Sequence, residues 1–205
     1  MSLASLFLTL ALVHLAALVA PGPDFALMLR SSLNQGRAQA LQMALGLASA
    51  IMVHSLVVVF AFALLAKVLP GLLHWLPLVA GCWLLYLAAQ CLKSARAPQG
   101  AIDTQSAPAG GAWLAGFATN ILNPKAYLYF FTLVGGLLPP ALPLAAKLGV
   151  VALFFSLALA WFGMLGWLLG APWFRQKMLG WRRGMEGATA LVFTAVGVLM
   201  LLRLA

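Results

Sequence analysis

Long apolar runs separated by short polar gaps make up most of the chain. They cover residues 3–20, 39–66, 72–92, 113–138, 148–170 and 187–204. A helix needs about 20 mostly apolar residues to cross a bilayer, so each run predicts one membrane-spanning helix. The second and fourth runs exceed the length of a simple span, and tilting or a break in the helix would accommodate the excess. The pattern predicts an all-α polytopic membrane protein with six transmembrane helices.

The composition agrees with a chain that lies almost wholly in a membrane. Of its 205 residues, 64% are hydrophobic and 7% are charged, and the mean hydropathy is +1.05. Soluble domains carry about 25% charged residues, which excludes that class. We expect a single membrane domain over residues 1–205, divided into a three-helix half at 1–94, a linker at 95–111 and a second three-helix half at 112–205. The linker is the longest and least apolar gap and is rich in proline and glycine.

The basic residues lie mostly in the gaps and predict the orientation of the helices. Eight fall in the first, third and fifth connections, namely Arg30, Arg37, Lys93, Arg96, Arg175, Lys177, Arg182 and Arg183. Three fall in the even connections or at the C-terminal end, namely Lys67, Lys147 and Arg203. Because cytoplasmic loops carry the excess of lysine and arginine, the linker is predicted to be cytoplasmic and both termini outside. The net charge of +9 is therefore a topology signal, and no nucleic-acid partner is predicted.

Proline and an ionisable side chain occur together twice within apolar sequence, in Pro21-Gly22-Pro23-Asp24 and in Asn123-Pro124-Lys125. Proline removes a helical hydrogen bond, and a charge at membrane depth is costly and usually functional. We therefore expect helices broken at Pro21, Gly22 and Pro23 and again at Pro124. Since each half holds three helices, repeated halves must be inverted, and the two breaks would approach one central site from opposite membrane faces.

Asp24 is the carboxylate that stands against an apolar run without several basic neighbours. It is therefore a candidate proton or cation site. Alternatively, it would only cap the helix that Pro23 opens, because an aspartate in a first helical turn satisfies N–H groups and the helix dipole. Glu186 follows Arg182 and Arg183 and is expected to be a surface ion-pair residue or a helix N-terminal charge.

Asn120, Asn123 and Lys125 form a second polar cluster around Pro124. The two asparagines are three residues apart and so share a helix face. The missing N–H of Pro124 frees a carbonyl about one turn upstream, near Asn120. We expect this cluster to hold a substrate carboxylate. The alternative for Lys125 is that it only neutralises the charge of Asp24.

Gly46, Ala50 and His54 recur every four residues, which gives one helix face small residues for close packing and an imidazole at its end. His54 would shuttle protons, or it would be a core histidine bonded to a neighbouring helix. Small-residue faces would also permit a homodimer. The dispersed histidines predict no metal site. Without a nucleophile motif, a phosphate loop or paired carboxylates, the sequence predicts neither an enzyme nor a cofactor, and transport would need an ion gradient.

The chain resembles the LysE/RhtB family of amino-acid exporters over effectively its whole length. The resemblance is carried by Pro21-Gly22-Pro23-Asp24-Phe25, Arg30-Ser31-Ser32-Leu33, Gln35-Gly36-Arg37, Gly46, His54, Gly81-Cys82-Trp83-Leu84-Leu85-Tyr86-Leu87, Lys93-Ser94, Gly116-Phe117-Ala118-Thr119-Asn120 and Asn123-Pro124-Lys125-Ala126. It implies a six-helix exporter of the bacterial inner membrane, coupled to the proton-motive force. It assigns function to the two proline motifs and Asn120. The chain departs from the family where Gly135-Gly136-Leu137-Leu138-Pro139-Pro140 replaces a Pro-Gln-Phe segment.

The sequence thus predicts a secondary transporter that exports amino acids or close derivatives, small neutral or basic and of the homoserine or threonine type, by proton antiport. Asp24 would bind the α-ammonium group or a proton, His54 would assist with protons, and Lys125 with the asparagines would hold the carboxylate. The partners would be the amino acid, protons and the lipid bilayer. Two other hypotheses are a membrane assembly protein that transports nothing and a thiol or metal-ion carrier. The carrier needs cysteines on facing helices, whereas Cys82 and Cys91 share one run.

Overall fold

The structure is a computed structural model that describes residues 2–20, 22–68, 70–96, 111–139 and 142–202. Every secondary-structure element in these ranges is an α-helix, which confirms the predicted all-α fold. The helices are α1 (Leu3–Val19), α2 (Pro23–Asn34), α3 (Gly36–Val68), α4 (Pro70–Arg96), α5 (Ala112–Ile121), α6 (Pro124–Leu137), α7 (Leu144–Leu168) and α8 (Pro172–Leu202).

Both predicted helix breaks are present. α1 ends at Val19 and α2 begins at Pro23, while α5 ends at Ile121 and α6 begins at Pro124. Proline suits the first position of a helix because that residue needs no N–H for the helical ladder. The second motif therefore divides one apolar run into two shorter helices, α5 and α6. The first motif separates α1 from α2, a helix that follows the first apolar run.

Helix α2 occupies sequence that was expected to be a polar connection. Phe25, Met28, Leu29 and Ser32 are buried and lie at the i, i+3, i+4 and i+7 positions of one helix face. Gly36 then adopts a φ of 80°, a left-handed conformation that glycine accepts at a helix end, and α3 starts there. The first broken helix therefore continues beyond its apolar run.

Within the described ranges, three segments are long and apolar enough to cross a membrane, namely Gly36–Ala61, Leu144–Leu168 and Arg183–Leu202. Among the described residues, Leu3–Val19 and Leu78–Lys93 form shorter apolar helices. Large apolar side chains also point outward, for example Leu191, which is 72% exposed. An apolar exterior of this kind suits contact with lipid. The count of six spans stays a prediction.

Glycines bring the backbones of α3 and α5 into direct contact. A Cβ atom added at Gly46 would overlap the carbonyl oxygen of Trp113, and one added at Gly116 would overlap that of Met43. The small-residue face that the sequence placed at Gly46 therefore packs against α5, the helix that carries Asn120.

Helices α4 and α8 pack antiparallel through another glycine contact. Gly81 faces Gly197 and Leu201, whereas Gly197 faces Leu84 and Leu85 further along α4. Moving forward along α4 thus moves backward along α8. Since these small residues are used within one chain, the homodimer stays a prediction.

Candidate functional site

A cavity of about 120 Å³ lies where the two broken helices meet. Among the described residues, its polar lining includes His14, Asp24, Asn120, Asn123 and Tyr129. Most of the remaining wall is apolar or aromatic and includes Phe25, Ile51, Leu87, Phe130, Phe162 and Phe193. One water molecule needs about 10–15 Å³ of such volume, so there is room for a small polar molecule. An apolar pocket with a few convergent polar groups is the usual form of a small-molecule site.

Asp24 and Asn120 join the two breaks. The Nδ2 atom of Asn120 donates a hydrogen bond of 2.8 Å to Oδ2 of Asp24. Asn120 is buried, and Asp24 is partly buried in the first turn of α2. The positive N-terminal end of α2 stabilises the carboxylate there. Asp24 therefore lies in the first turn of α2, as the sequence indicated, and also in the wall of the cavity.

His54 connects the second break to α3. Pro124 has no N–H to give to the carbonyl of Asn120, four residues upstream. That carbonyl accepts the N–H of Asn123 at 3.0 Å and a hydrogen bond from Nε2 of His54 at 3.2 Å. His54 is buried and stacks on Phe130, with 5.5 Å between ring centroids. The carbonyl that Pro124 leaves without its helical donor is therefore bonded to His54, and His54 is a buried histidine bonded to a neighbouring helix.

The described lining of the cavity does not include His54. Because its partner is a carbonyl oxygen, Nε2 must carry the ring proton in this hydrogen bond. The imidazole thus holds the end of α5 in place behind Asn120. A part of His54 in proton transfer stays a prediction.

His14 and Tyr129 form a second polar contact at the cavity, which sequence reasoning missed. Nδ1 of His14 lies 3.3 Å from the hydroxyl of Tyr129, and both side chains are buried. A signal was present in α1, where Leu10, His14 and Leu18 are spaced four apart and occupy one buried face. A histidine in the middle of a buried transmembrane face is a candidate functional residue on that ground alone.

The two polar contacts give the broken helices an antiparallel order. His14 precedes Asp24 along the first broken helix, whereas its partner Tyr129 follows Asn120 along the second. α1 therefore packs against α6, and α2 packs against α5. Residues at the C-terminal ends of α1 and α5 and at the N-terminal ends of α2 and α6 line the cavity. Negative and positive helix ends are thus both available to a bound molecule.

The remaining predicted site residues are described to different extents. Asn123 and Gly22 line the cavity, and Gly22 precedes the first residue of α2 in an extended conformation. The backbones of Pro23, Pro124 and Lys125 belong to the first turns of α2 and α6. The side chains of Pro23, Pro124 and Lys125 and the whole of Pro21 lie outside the described residues.

Glu186 is buried, and the expectation that it lies at the surface is wrong. It is 2% exposed in α8. One turn later the hydroxyl of Thr189 donates a hydrogen bond of 3.0 Å to the carbonyl of Ala16 in α1. The nearby arginines were a misleading local signal, because α8 turns this face towards α1 rather than towards solvent.

Two broken helices that meet at a polar cavity within an apolar helical protein are typical of membrane transporters. The sequence profile of the LysE type translocator family matches residues 15–204. The chain belongs to this family, and the resemblance seen in its motifs is confirmed. It is a multi-pass membrane translocator and not an enzyme.

Two relatives extend the comparison over nearly the whole chain. The threonine efflux proteins of Escherichia coli (strain K12) and Salmonella typhi are each 31% identical over 201 residues. Each match covers 94% of this chain and 96% of the relative. No solved structure matches the chain.

Proposed function

We propose that this protein exports small amino acids or close derivatives from the cytoplasm across the bacterial inner membrane. The observation that carries the proposal is the cavity at two broken helices, with Asp24 and Asn120 in contact at 2.8 Å. Charged and polar groups at such breaks are typical of substrate and ion sites in secondary transporters. The relatives called threonine efflux proteins support an amino acid as the substrate.

The cavity complements a zwitterion. The α-ammonium group lies against the carboxylate of Asp24 and Oδ1 of Asn120, which makes no hydrogen bond with another described residue. The α-carboxylate lies at the start of α6, where Asn123 and Lys125 belong to the positive helix end. The carboxylate of Asp24 thus meets the positive charge of the substrate, and the positive end of α6 meets its negative charge.

Alternating access arises from two inverted halves, residues 1–94 and 112–205. Each half has two short helices followed by two long ones. The antiparallel packing of the broken helices and of α4 against α8 supports inversion, because equivalent helices of inverted repeats run in opposite directions. The guanidinium carbon of Arg37 lies 5.0 Å from the ring centroid of Trp167. That contact brings the beginning of α3 close to the end of α7, as expected if the first and fifth connections share one membrane face, and it supports six spans.

The excess of basic residues assigns that face to the cytoplasm. A cysteine introduced by Ala101→Cys, in a chain carrying Cys82→Ala and Cys91→Ala, is expected to resist a membrane-impermeant thiol reagent in intact cells. The same cysteine should react once the cells are permeabilised, which is the internal control. Labelling of residue 101 from outside intact cells would reverse the proposed orientation and place both termini in the cytoplasm.

Asp24 couples export to protons in this proposal. The ionised carboxylate holds the substrate ammonium group, and protonation of the carboxylate releases it. Intramembrane carboxylates commonly act as proton relays in transporters. His54 contributes by holding Asn120, the partner of Asp24, through the hydrogen bond of 3.2 Å to the Asn120 carbonyl.

Efflux of labelled amino acids tests the function directly. Cells that overproduce the chain and are preloaded with labelled threonine, homoserine or serine should release at least one of them several-fold faster than cells without it. A protonophore added at constant ATP should abolish this difference. Undiminished efflux with the protonophore would rule out proton coupling, and no enhanced efflux of any amino acid would rule out the exporter.

A further inference from the structure

The first part of α8 extends beyond the segment that is apolar enough to cross a membrane. α8 covers Pro172–Leu202, whereas the apolar segment covers Arg183–Leu202. Residues 172–182 therefore add eleven residues of helix, which is roughly 16 Å at about 1.5 Å per residue. A helix that leaves the hydrocarbon passes first through the layer of lipid headgroups. This part of α8 is therefore placed to contact headgroups.

Two tryptophans and a lysine form an exposed stripe along this part of α8. Trp173, Lys177 and Trp181 are spaced four apart, so they lie on one side of the helix. The two tryptophans are 63% and 55% exposed, and Nζ of Lys177 lies 4.9 Å from the centroid of the Trp181 ring. The adjacent face of the helix packs against the protein through Phe174 and Met178. Because tryptophan is enriched at the interface between membrane and water, the stripe suits the headgroup layer.

A second basic residue lies over a tryptophan at the turn that precedes α8. Arg37 is exposed at the start of α3, and its guanidinium carbon is 5.0 Å from the ring centroid of Trp167, near the end of α7. Trp167 is 54% exposed. A Cβ atom added at Gly170, between α7 and α8, would lie 3.7 Å from Nε of Arg37. The turn between α7 and α8 therefore joins this pair to the stripe on α8.

This end of the protein carries a large excess of positive charge. The chain has 12 lysines and arginines and three acidic residues. Two of the acidic side chains belong to the interior, since Asp24 lies in the cavity wall and Glu186 is buried. Residues 167–185 contain no acidic residue and four basic ones, namely Arg175, Lys177, Arg182 and Arg183. A group of about four to eight basic residues beside a membrane span is a typical binding site for anionic lipids.

We propose that the first part of α8 and the turn before it bind the phosphate headgroups of anionic phospholipids. Lys177 and Arg37 contact phosphate oxygens, while the rings of Trp181 and Trp167 hold these cations at the level of the headgroups. A zwitterionic lipid carries a cation beside its phosphate, and the positive surface repels that cation. An anionic lipid is therefore preferred. This inference does not depend on which molecule the protein exports.

The test compares phosphatidylglycerol with phosphatidylcholine, each added to the purified protein in an uncharged detergent, by the rise in Tm. We expect half of the full rise at a concentration about tenfold lower for phosphatidylglycerol. The double variant Arg37→Gln with Lys177→Gln removes both cations that lie over tryptophan. A basic residue near an anionic surface contributes about fivefold in affinity, so this variant should need roughly thirtyfold more phosphatidylglycerol than the wild type.

The matched control is the double variant Lys67→Gln with Lys147→Gln, which removes the same charge from the opposite ends of α3 and α7. It should respond to phosphatidylglycerol as the wild type does. If the basic residues serve only to orient the helices during insertion, the two double variants respond alike, and the inference is overturned. Equal stabilisation of the wild type by the two lipids would overturn it as well. If the first double variant does not accumulate, Lys177→Gln alone should show a shift of about fivefold, and an unchanged response would refute the site.

Discussion

The Asp24→Asn variant is expected to lose amino-acid efflux by about a hundredfold or more while its abundance in the membrane stays close to that of the wild type. Asparagine has nearly the same shape, and its side-chain oxygen can still accept the 2.8 Å hydrogen bond from Asn120. It lacks the charge that meets the substrate ammonium group. Leaving a buried charge without its partner costs about 3–5 kcal/mol, and every 1.4 kcal/mol or so is tenfold. The measurement is the initial rate of labelled-threonine efflux per transporter molecule.

Two further variants show whether the loss reflects substrate handling. Asp103→Asn is the matched control, because it removes a carboxylate from the predicted linker, and it should export normally. The double variant Asp24→Asn with Lys125→Met tests whether Asp24 only neutralises Lys125. We expect the double variant to fold and remain inactive. Wild-type efflux from a well-folded double variant would instead make both residues structural.

Alanine at Gly46 or Gly116 is expected to cause the largest loss of stability among single methyl additions. In both cases the added Cβ would overlap a backbone carbonyl oxygen of the facing helix, and a backbone cannot rotate away as a side chain can. Overpacking costs typically about 1–3 kcal/mol. For a chain of this size each kcal/mol lowers Tm by roughly 2–4 °C. Thermal unfolding of the purified variants in detergent should show decreases of Tm of roughly 2–12 °C.

Gly163→Ala is the matched control for the glycine variants. Gly163 lies inside α7, and an added Cβ would meet no described heavy atom within 4 Å. Alanine in a helix interior is more favourable than glycine by about 0.5–1 kcal/mol, so this variant should be as stable as the wild type or slightly more stable. Equal stability of Gly116→Ala and Gly163→Ala would contradict the close backbone contact between α3 and α5.

The features that were predicted well from the sequence are those that depend on consecutive residues. The apolar runs predicted helices, and the prolines of the two motifs predicted the positions of both breaks. Helix α2 was raised only as an alternative, from Pro23 and Asp24, because Arg30, Ser31 and Ser32 interrupt its apolar residues, although its buried face has regular helical spacing. An unbroken apolar run predicts a segment within the membrane, whereas the regular spacing of apolar positions predicts a helix with one buried face.

Features that depend on contacts between distant segments were predicted less completely. Asp24 and Asn120 were each singled out from local chemistry, and their hydrogen bond follows from the meeting of the two breaks. His14 and Tyr129 are 115 residues apart, and neither lies within a proline motif. Glu186 was misplaced because its neighbours in sequence are basic, whereas its side chain is only 2% exposed. Local charge patterns do not report which face of a helix is covered.

The hydrogen bond between His54 and the carbonyl of Asn120 has a consequence for how these two segments can vary during evolution. Pro124 removes one donor from α6, and the imidazole supplies a donor from α3 at 3.2 Å. Hydrocarbon offers no water that could replace the imidazole as a donor. Loss of the imidazole therefore leaves the carbonyl of Asn120 with one hydrogen bond fewer, which water would restore in a soluble protein. A chain without proline at position 124 supplies its own N–H and releases position 54 from this constraint. Substitutions at positions 54 and 124 are therefore expected to be inherited together.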